Sequence, residues 1–159
     1  MKHKYNYVIK NISWDTIKKL TEKIIVSIRK NNYQPEVIIP ILRGGMPLAL
    51  MLSQKLNIRC FETIQIVKSE NDQINSVFGK AKIVNHTDMK LISGKNVLIT
   101  EDVIDTLDTL TTAIHFIKKY NPKKILVSTL IDFSKDKNYK IISGRDYLKQ
   151  KYWIVFPWD

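Results

Sequence analysis

The 159-residue chain is long enough for one domain with a single good core, and its 44% hydrophobic and 26% charged residues are those of an ordinary soluble globular protein. No apolar run is long enough to cross a bilayer, the segment after Met1 leads into no apolar signal region, and the lone Cys60 excludes an intrachain disulfide, so the cytoplasm is the expected compartment. A net charge of +11 suits an anionic small substrate as well as nucleic acid, but the lysines are scattered and the densest pairs (Lys18-Lys19, Lys118-Lys119, Lys123-Lys124) read first as solvated helix ends or loops, so no nucleic-acid face is expected.

In chain order, Tyr5 to Ile9 alternates like a short strand. Ser13 can cap a helix whose apolar face is Ile17, Leu20, Ile24, Ile25 and Ile28, and Asn31-Asn32 end it. Val37 to Ile41 is a compact β-branched run of the kind buried in parallel sheets. Gly44-Gly45 form a turn, and Pro47 suits the first turn of a helix that runs to Leu56. Arg59 to Val67 reads as another strand. Residues 68 to 94 are polar, Asn-rich and nearly aperiodic, which leaves a mobile functional loop or a pair of short strands.

Asn96 to Thr100 is an apolar strand that meets two adjacent acids, Glu101 and Asp102. Val103 and Ile104 follow, then Asp105, Thr106, Leu107, Asp108 and Thr109, then a helix with Leu110, Ala113, Ile114 and Ile117 inward. Lys124 to Ile131 and Trp153 to Phe156 are the remaining strands. Strands alternating with helices predict an α/β fold, a mostly parallel twisted sheet covered by helices on both faces, with ligands at the carboxyl ends of the strands.

The segment from Val97 to Leu110 carries the chemistry. A helix start offers unpaired N–H groups and a positive dipole end, which suit a phosphate, and acids beside it can hold sugar hydroxyls or a metal. A phosphorylated sugar is the ligand this arrangement suggests. Two bland readings stand beside it. Glu101 and Asp102 can be polar residues where a strand surfaces, and Asp105 can be a helix N-cap.

The same residues resemble the signature of the type I phosphoribosyltransferases: a hydrophobic strand, two acids, two apolar residues, then Asp-Thr-Gly and a Thr. Ile38 to Met46 resembles the strand and pyrophosphate loop of the purine salvage branch. Tyr152 to Asp159 is similar to the base-binding end of xanthine-guanine and archaeal hypoxanthine-guanine phosphoribosyltransferases. The three segments keep the family's order across residues 36 to 159.

The resemblance implies one phosphoribosyltransferase-like domain over residues 1–159, with a small base-binding hood from the terminal segments. It implies Mg²⁺-dependent transfer of phosphoribose from phosphoribosyl pyrophosphate to a purine base, with xanthine, guanine or hypoxanthine the expected bases, by a homo-oligomer. Glu101 and Asp102 would bind ribose hydroxyls and Mg²⁺, and Asp105 would act as the general base on the purine. Asp105, Thr106, Leu107, Asp108 and Thr109 would hold the 5-phosphate. Leu42, Arg43, Gly44 and Gly45 would wrap the pyrophosphate, with the peptide bond before the basic residue able to be cis as in relatives. Trp153 and Ile154 would meet the base, with Asp132 at its exocyclic edge.

Three departures from the pattern carry expectations of their own. Leu107 stands where the family has Gly; if the loop needs φ > 0 there, a side chain costs roughly 1–2 kcal/mol and weakens phosphate binding by about tenfold. Asp132 stands where relatives on 6-oxopurines place a Lys, which favours an amino-bearing or non-standard base, unless Lys135 restores the contact. The Ser-Tyr pair of the closing loop is absent from the stretch after Val67. A non-catalytic sensor of phosphoribosyl pyrophosphate or a nucleotide, regulating nucleic acid, is the alternative these departures raise. His3, His86 and His115 share no ligand-like spacing, so no zinc site is expected.

Overall fold

The computed structural model describes residues 8–69, 78–134, 138–147 and 152–159. Residues 5–7 of the expected first strand, Lys135, and the positions after Ser69 in the expected closing loop lie outside them. Among the described residues the order is β1 (Val8–Asn11), α1 (Trp14–Lys30), β2 (Val37–Leu42), α2 (Gly45–Leu56), β3 (Cys60–Phe61), β4 (Ile64–Ser69), β5 (Phe78–His86), β6 (Asn96–Ile104), α3 (Asp108–Lys118), β7 (Lys124–Asp132), β8 (Ile141–Asp146) and β9 (Tyr152–Val155).

The main sheet runs β5-β4-β2-β6-β7-β8, with β3 also paired to β2. All its pairings are parallel except β4 with β5. The α/β expectation holds. Ser13 caps α1 by accepting from the Thr16 N–H at 3.2 Å, and its apolar stripe of Ile17, Leu20, Ile24, Ile25 and Ile28 is buried as the spacing requires.

The two sheet faces bury separate cores. Ile38, Leu98, Leu126 and Leu130 pack with α1 and α2 on one face, while Val37, Ile39, Val97, Ile99 and Val127 pack with Leu110, Ala113, Ile114 and Ile117 of α3 on the other. Burial on both faces explains why β2, β6 and β7 are continuous apolar runs. Because β2, β6 and β7 are parallel neighbours, the turn after Leu42, the segment after Ile104 and the end of β7 at Asp132 all emerge along one edge. Apart from this sheet, β1 and β9 pair in parallel, Val8 with Tyr152 through Asn11 with Val155, and form a small two-stranded unit, the hood.

Four expectations needed correction. The Arg59–Val67 strand is two strands, broken at Glu62 and Thr63, because the chain leaves β2 at Phe61 and rejoins it beyond at Ile41. The aperiodic stretch, expected as a loop or a pair of short strands, holds the end of β4 and then β5, a single nine-residue edge strand antiparallel to it. β6 does not stop at the acids; it pairs with β7 as far as Ile104 opposite Asp132. β8 was not anticipated, since Ile141 to Asp146 is short and half polar.

Candidate functional site

The site is built from the carboxyl ends of β2 and β6 and the starts of α2 and α3. Leu42-Arg43 is a cis peptide bond, and Gly44 follows as the N-cap of α2 with no side-chain cap. A Cβ on Gly44 would lie 2.1 Å from Asp102 Oδ2, and one on Gly45 would lie 2.2 Å from the Thr100 carbonyl oxygen. At Gly45 the obstacle is backbone, so glycine is needed there; at Gly44 it is the Asp102 carboxylate, so the turn lies directly against that acid. Thr100 holds the contact by donating its hydroxyl to the Gly45 carbonyl at 2.9 Å. The turn and the acid pair, 58 residues apart in sequence (102 minus 44), thus form one surface. The exposed Arg43 side chain lies at this turn.

Glu101 and Asp102 are partly buried within β6. Burial raises the Glu101 carboxyl well above the ordinary range, and the Asp102 charge and a hydrogen bond with Asp102 add to it. Burial also raises Asp102, as does the charge of Asp159; the Val103 N–H, which donates to Asp102 Oδ1 at 2.7 Å, works against that rise, as do Trp158 and Glu101. Among the described residues neither carboxyl has a Lys or Arg ion-pair partner. Two adjacent carboxyls held up by burial and lacking a cation fit a divalent ion. No described cluster of three or more His, Cys, Asp or Glu side chains would hold a metal by protein alone. Mg²⁺ suits that count, since it takes one or two carboxylates and completes its shell from substrate oxygens and water.

The segment after β6 has a different character. Asp105 and Thr106 are exposed, and Leu107 is the N-cap of α3, at φ −81° and ψ 2°, with no side-chain cap. Two expectations change here. Asp105 does not cap the helix, and Leu107 does not adopt a positive φ, so no strain follows from the missing glycine. Its side chain packs instead against the second core. Asp108 opens the helix and Thr109 follows it, partly buried. The capping contrast among the helices is informative. α1 has its Ser13 cap, while α2 and α3 begin at the site with no side-chain cap, leaving N–H donors for a ligand.

A lysine that sequence reasoning did not single out enters this loop. Lys68, near the end of β4, donates from Nζ to Asp108 Oδ2 at 2.7 Å and to the Thr106 hydroxyl. Lys68 holds the Asp108 carboxyl below its usual range by hydrogen bond and charge, with help from Thr106. Nothing local in the sequence signals the pairing, since the partners are 38 and 40 residues apart.

On the hood, Trp153 and Ile154 are partly buried in mid-β9, opposite Ile9 and Lys10. Trp158 and Asp159 reach the acid pair. The Trp158 indole stacks on Phe156 at 4.6 Å and leans on Trp14 at 5.6 Å. Its nitrogen is buried with no well-formed acceptor, yet faces Asp102 closely enough to favour the ionised carboxylate there. Asp159 also accepts from the Phe156 N–H at 2.8 Å. Asp132 ends β7 beside Ile104, as expected, but it is 9% exposed and accepts from the Ser134 N–H at 2.7 Å. Burial raises its carboxyl, the Ser134 hydrogen bonds lower it, and Asp146 raises it, with a net rise. The next residue, Phe133, stacks on Tyr147 at 5.5 Å, and Tyr147 meets Tyr152 of the hood at 5.1 Å.

The basic surface has its own centre, well away from these residues. Lys118, Lys123, Lys124 and Lys140 surround a cavity of about 560 Å³ with Ile114 and Tyr139, at the far end of α3. No helix among the described residues is long and apolar enough to cross a membrane.

Comparison with known proteins agrees with this geometry. The family model described as Phosphoribosyl transferase domain matches residues 13–159. A hypoxanthine-guanine phosphoribosyltransferase from Homo sapiens is 41% identical over 61 residues, which is 38% of this chain and 27% of that enzyme. The chain therefore matches little more than a quarter of the curated relatives' length. Among solved structures, a purine phosphoribosyltransferase from Pyrococcus horikoshii superposes with a TM-score of 0.72 at 26% identity, covering 95% of this chain and 93% of that one. A hypothetical protein from Neisseria gonorrhoeae with bound ppGpp gives a TM-score of 0.81 at 23% identity, covering 98% and 91%. A xanthine-guanine-hypoxanthine phosphoribosyltransferase from Helicobacter pylori gives 0.74 at 19%, covering 96% and 93%. At these last two identities the likeness is one of fold.

Proposed function

The chain belongs to the phosphoribosyl transferase domain family, and from that premise we propose that it transfers 5-phosphoribose from phosphoribosyl pyrophosphate to a purine base with release of pyrophosphate. The observation that carries this reading is the direct packing of the Gly44 turn on the Asp102 carboxylate, with the uncapped start of α3 after the same strand. One ligand carrying a pyrophosphate, a ribose and a 5-phosphate would touch all three.

Each group has a task that follows from charge. The transition state puts positive charge on the ribose ring and negative charge on the leaving pyrophosphate. Glu101 and Asp102 would hold the ribose hydroxyls and Mg²⁺ from beneath. When bound, Mg²⁺ supplies positive charge at the pyrophosphate oxygens and draws the two carboxyls into their ionised forms. Leu42, Arg43, Gly44 and Gly45 would offer backbone N–H groups and a guanidinium to the pyrophosphate. Thr106, Leu107, Asp108 and Thr109 would surround the 5-phosphate with hydroxyl and N–H donors.

Asp105, exposed beside the ribose position, would accept the proton from the attacking purine nitrogen. Trp153 and Ile154 would cover the base. Asp132, held by Ser134, and Phe133, stacked on Tyr147, stand where the exocyclic edge of the purine would lie; xanthine, guanine or hypoxanthine is the narrower form of this proposal, with an amino-bearing or non-standard base as its alternative. A single domain across residues 1–159, a homo-oligomer, a cytoplasmic location and a role in nucleotide salvage belong to the same reading.

A second reading has one specific observation behind it: the Neisseria gonorrhoeae protein of the same fold holds ppGpp. This chain would then bind phosphoribosyl pyrophosphate or a nucleotide as a signal. One assay separates the two, namely pyrophosphate release dependent on Mg²⁺ and phosphoribosyl pyrophosphate across guanine, xanthine, hypoxanthine and adenine. Turnover with any base supports the transferase. Tight binding of phosphoribosyl pyrophosphate or ppGpp, with all four bases inert, rejects it for these bases and favours the sensor.

A further inference from the structure

The segment between β6 and α3 presents a phosphate with a charge problem. With the first residue of α3 it contains two carboxylates, Asp105 and Asp108, and no cationic residue. A phosphate monoester carries about −1.5 to −2 charges at neutral pH. Brought to the start of α3 it would gain from N–H donors and the helix dipole, and lose to Asp108 at the first helical position. The missing cation arrives from another strand.

Lys68 crosses from β4 so that its ammonium sits within the loop, bonded to Asp108 Oδ2 at 2.7 Å and to the Thr106 hydroxyl, which itself donates to the same carboxylate oxygen at 3.2 Å. The Lys68 side chain is 21% exposed and that of Asp108 is 64% exposed. An ion pair with one such open partner contributes little to stability. What the pair does accomplish is positional: a long, flexible side chain is held with its charge where the phosphate has to bind.

We propose that Lys68 is a direct ligand of the substrate's 5-phosphate, and that Asp108 is its resident competitor, keeping the ammonium in the loop until the phosphate takes over as its partner. The proposal rests on the phosphate-loop reading above and adds to it a cation and an internal anion that tunes affinity. An ammonium has three N–H donors, enough to keep Thr106 and turn from carboxylate to phosphate without leaving the loop. Exchange is favoured by the larger charge of the phosphate and opposed by loss of the Asp108 contact. Removing Lys68 and removing Asp108 must therefore have opposite effects.

The test is calorimetric binding of ribose 5-phosphate, with no base or pyrophosphate present, to the native protein, Lys68→Met, Lys68→Arg, Asp108→Asn and the double variant Lys68→Met/Asp108→Asn. Thermal midpoints establish that each variant is folded, and Lys68→Arg keeps the charge should the methionine variant fail to fold. Lys68→Met should weaken binding about tenfold or more, since a charge-assisted hydrogen bond is lost. Lys68→Arg should retain most of the affinity. Asp108→Asn should tighten binding several-fold, and that gain should shrink when Lys68 is already methionine, leaving only the relief of direct repulsion between Asp108 and the phosphate. Native-like affinity in Lys68→Met, or weaker binding in Asp108→Asn, overturns the proposal while leaving the phosphate site standing. No binding by the native protein overturns the site and the proposal together.

Discussion

Two pairs of acids lie within eight residues of each other and live in opposite electrostatic worlds. Glu101 and Asp102 are inside β6, partly buried, without a cationic partner among the described residues, and burial raises both. Asp105 and Asp108 are outside it and exposed, and Lys68 holds Asp108 below its ordinary range. The same residue type thus does two jobs. A buried pair that lacks a counter-charge waits for a cation from outside the chain. An exposed acid with its own lysine cannot be waiting for one, and its neighbours are hydroxyl and N–H donors that suit an anion. Under the proposed function, the contrast would divide the phosphoribosyl pyrophosphate site into a cation-requiring floor and a phosphate-receiving rim.

The largest expected effect tests Asp105, the acid that borders both regions. Asp105→Asn should lower turnover by about 10²–10⁴-fold if it is the general base, while ribose 5-phosphate affinity stays within about threefold. Turnover within a few-fold of native would assign it to the rim with Asp108 and leave the reaction without a base. Next in size is the contact that joins the floor to the pyrophosphate turn. Gly45→Ala forces a methyl to 2.2 Å from the Thr100 carbonyl oxygen, backbone against backbone, and should cost about 1–3 kcal/mol in denaturant unfolding. An unchanged midpoint would mean that the turn stands off from β6.

How much of this was legible depended on the range of the interactions. α1 was, because its Ser13 cap and isoleucine spacing are local, and so were β2, β6 and β7, whose burial on both faces makes them continuous apolar runs. β5 was not, since an edge strand with alternating lysines looks like a loop without its partner β4. The end of β6 was misplaced because a charge pair normally marks the surface, whereas here pairing with β7 carries the strand past it. Resemblance to a family found Glu101, Asp102, Asp105 and the Gly44 turn. It could not find Lys68 or the approach of Trp158 to Asp102, for those contacts join residues that only the fold makes neighbours. Asp132 was located correctly at its strand end, but its hold on the Ser134 N–H is a matter of turn geometry.

A pH series sharpens the contrast at the floor. A carboxyl whose folded-state value is raised is better stabilised protonated, so its contribution is full at acid pH and is lost as pH rises through the raised value. In metal-free buffer the native protein should therefore lose stability as pH climbs from the ordinary carboxylate range through the raised Glu101 and Asp102 values. Mg²⁺ should return it at neutral pH, by about 2.7 kcal/mol at a hundredfold excess over its dissociation constant. Glu101→Gln should flatten both responses. Asp108 should run the other way, its small contribution fading at acid pH, because its value is lowered. A Mg²⁺ response unchanged in Glu101→Gln would place the metal elsewhere.

The smallest effect is the most discriminating for the rim. Leu107 occupies the family's glycine position, and a strained loop would gain about tenfold in phosphate affinity on Leu107→Gly. Its φ of −81° lies in a region open to every residue, so there is no strain to release. The substitution should instead remove the packing of a partly buried side chain on the second core, lowering the thermal midpoint by a few degrees, with ribose 5-phosphate affinity within about twofold of native. A tenfold gain would mean that the loop adopts a left-handed turn once phosphate is bound. In that case the lysine-held geometry of Asp108 belongs to the free protein alone, and the rim is rebuilt by its ligand.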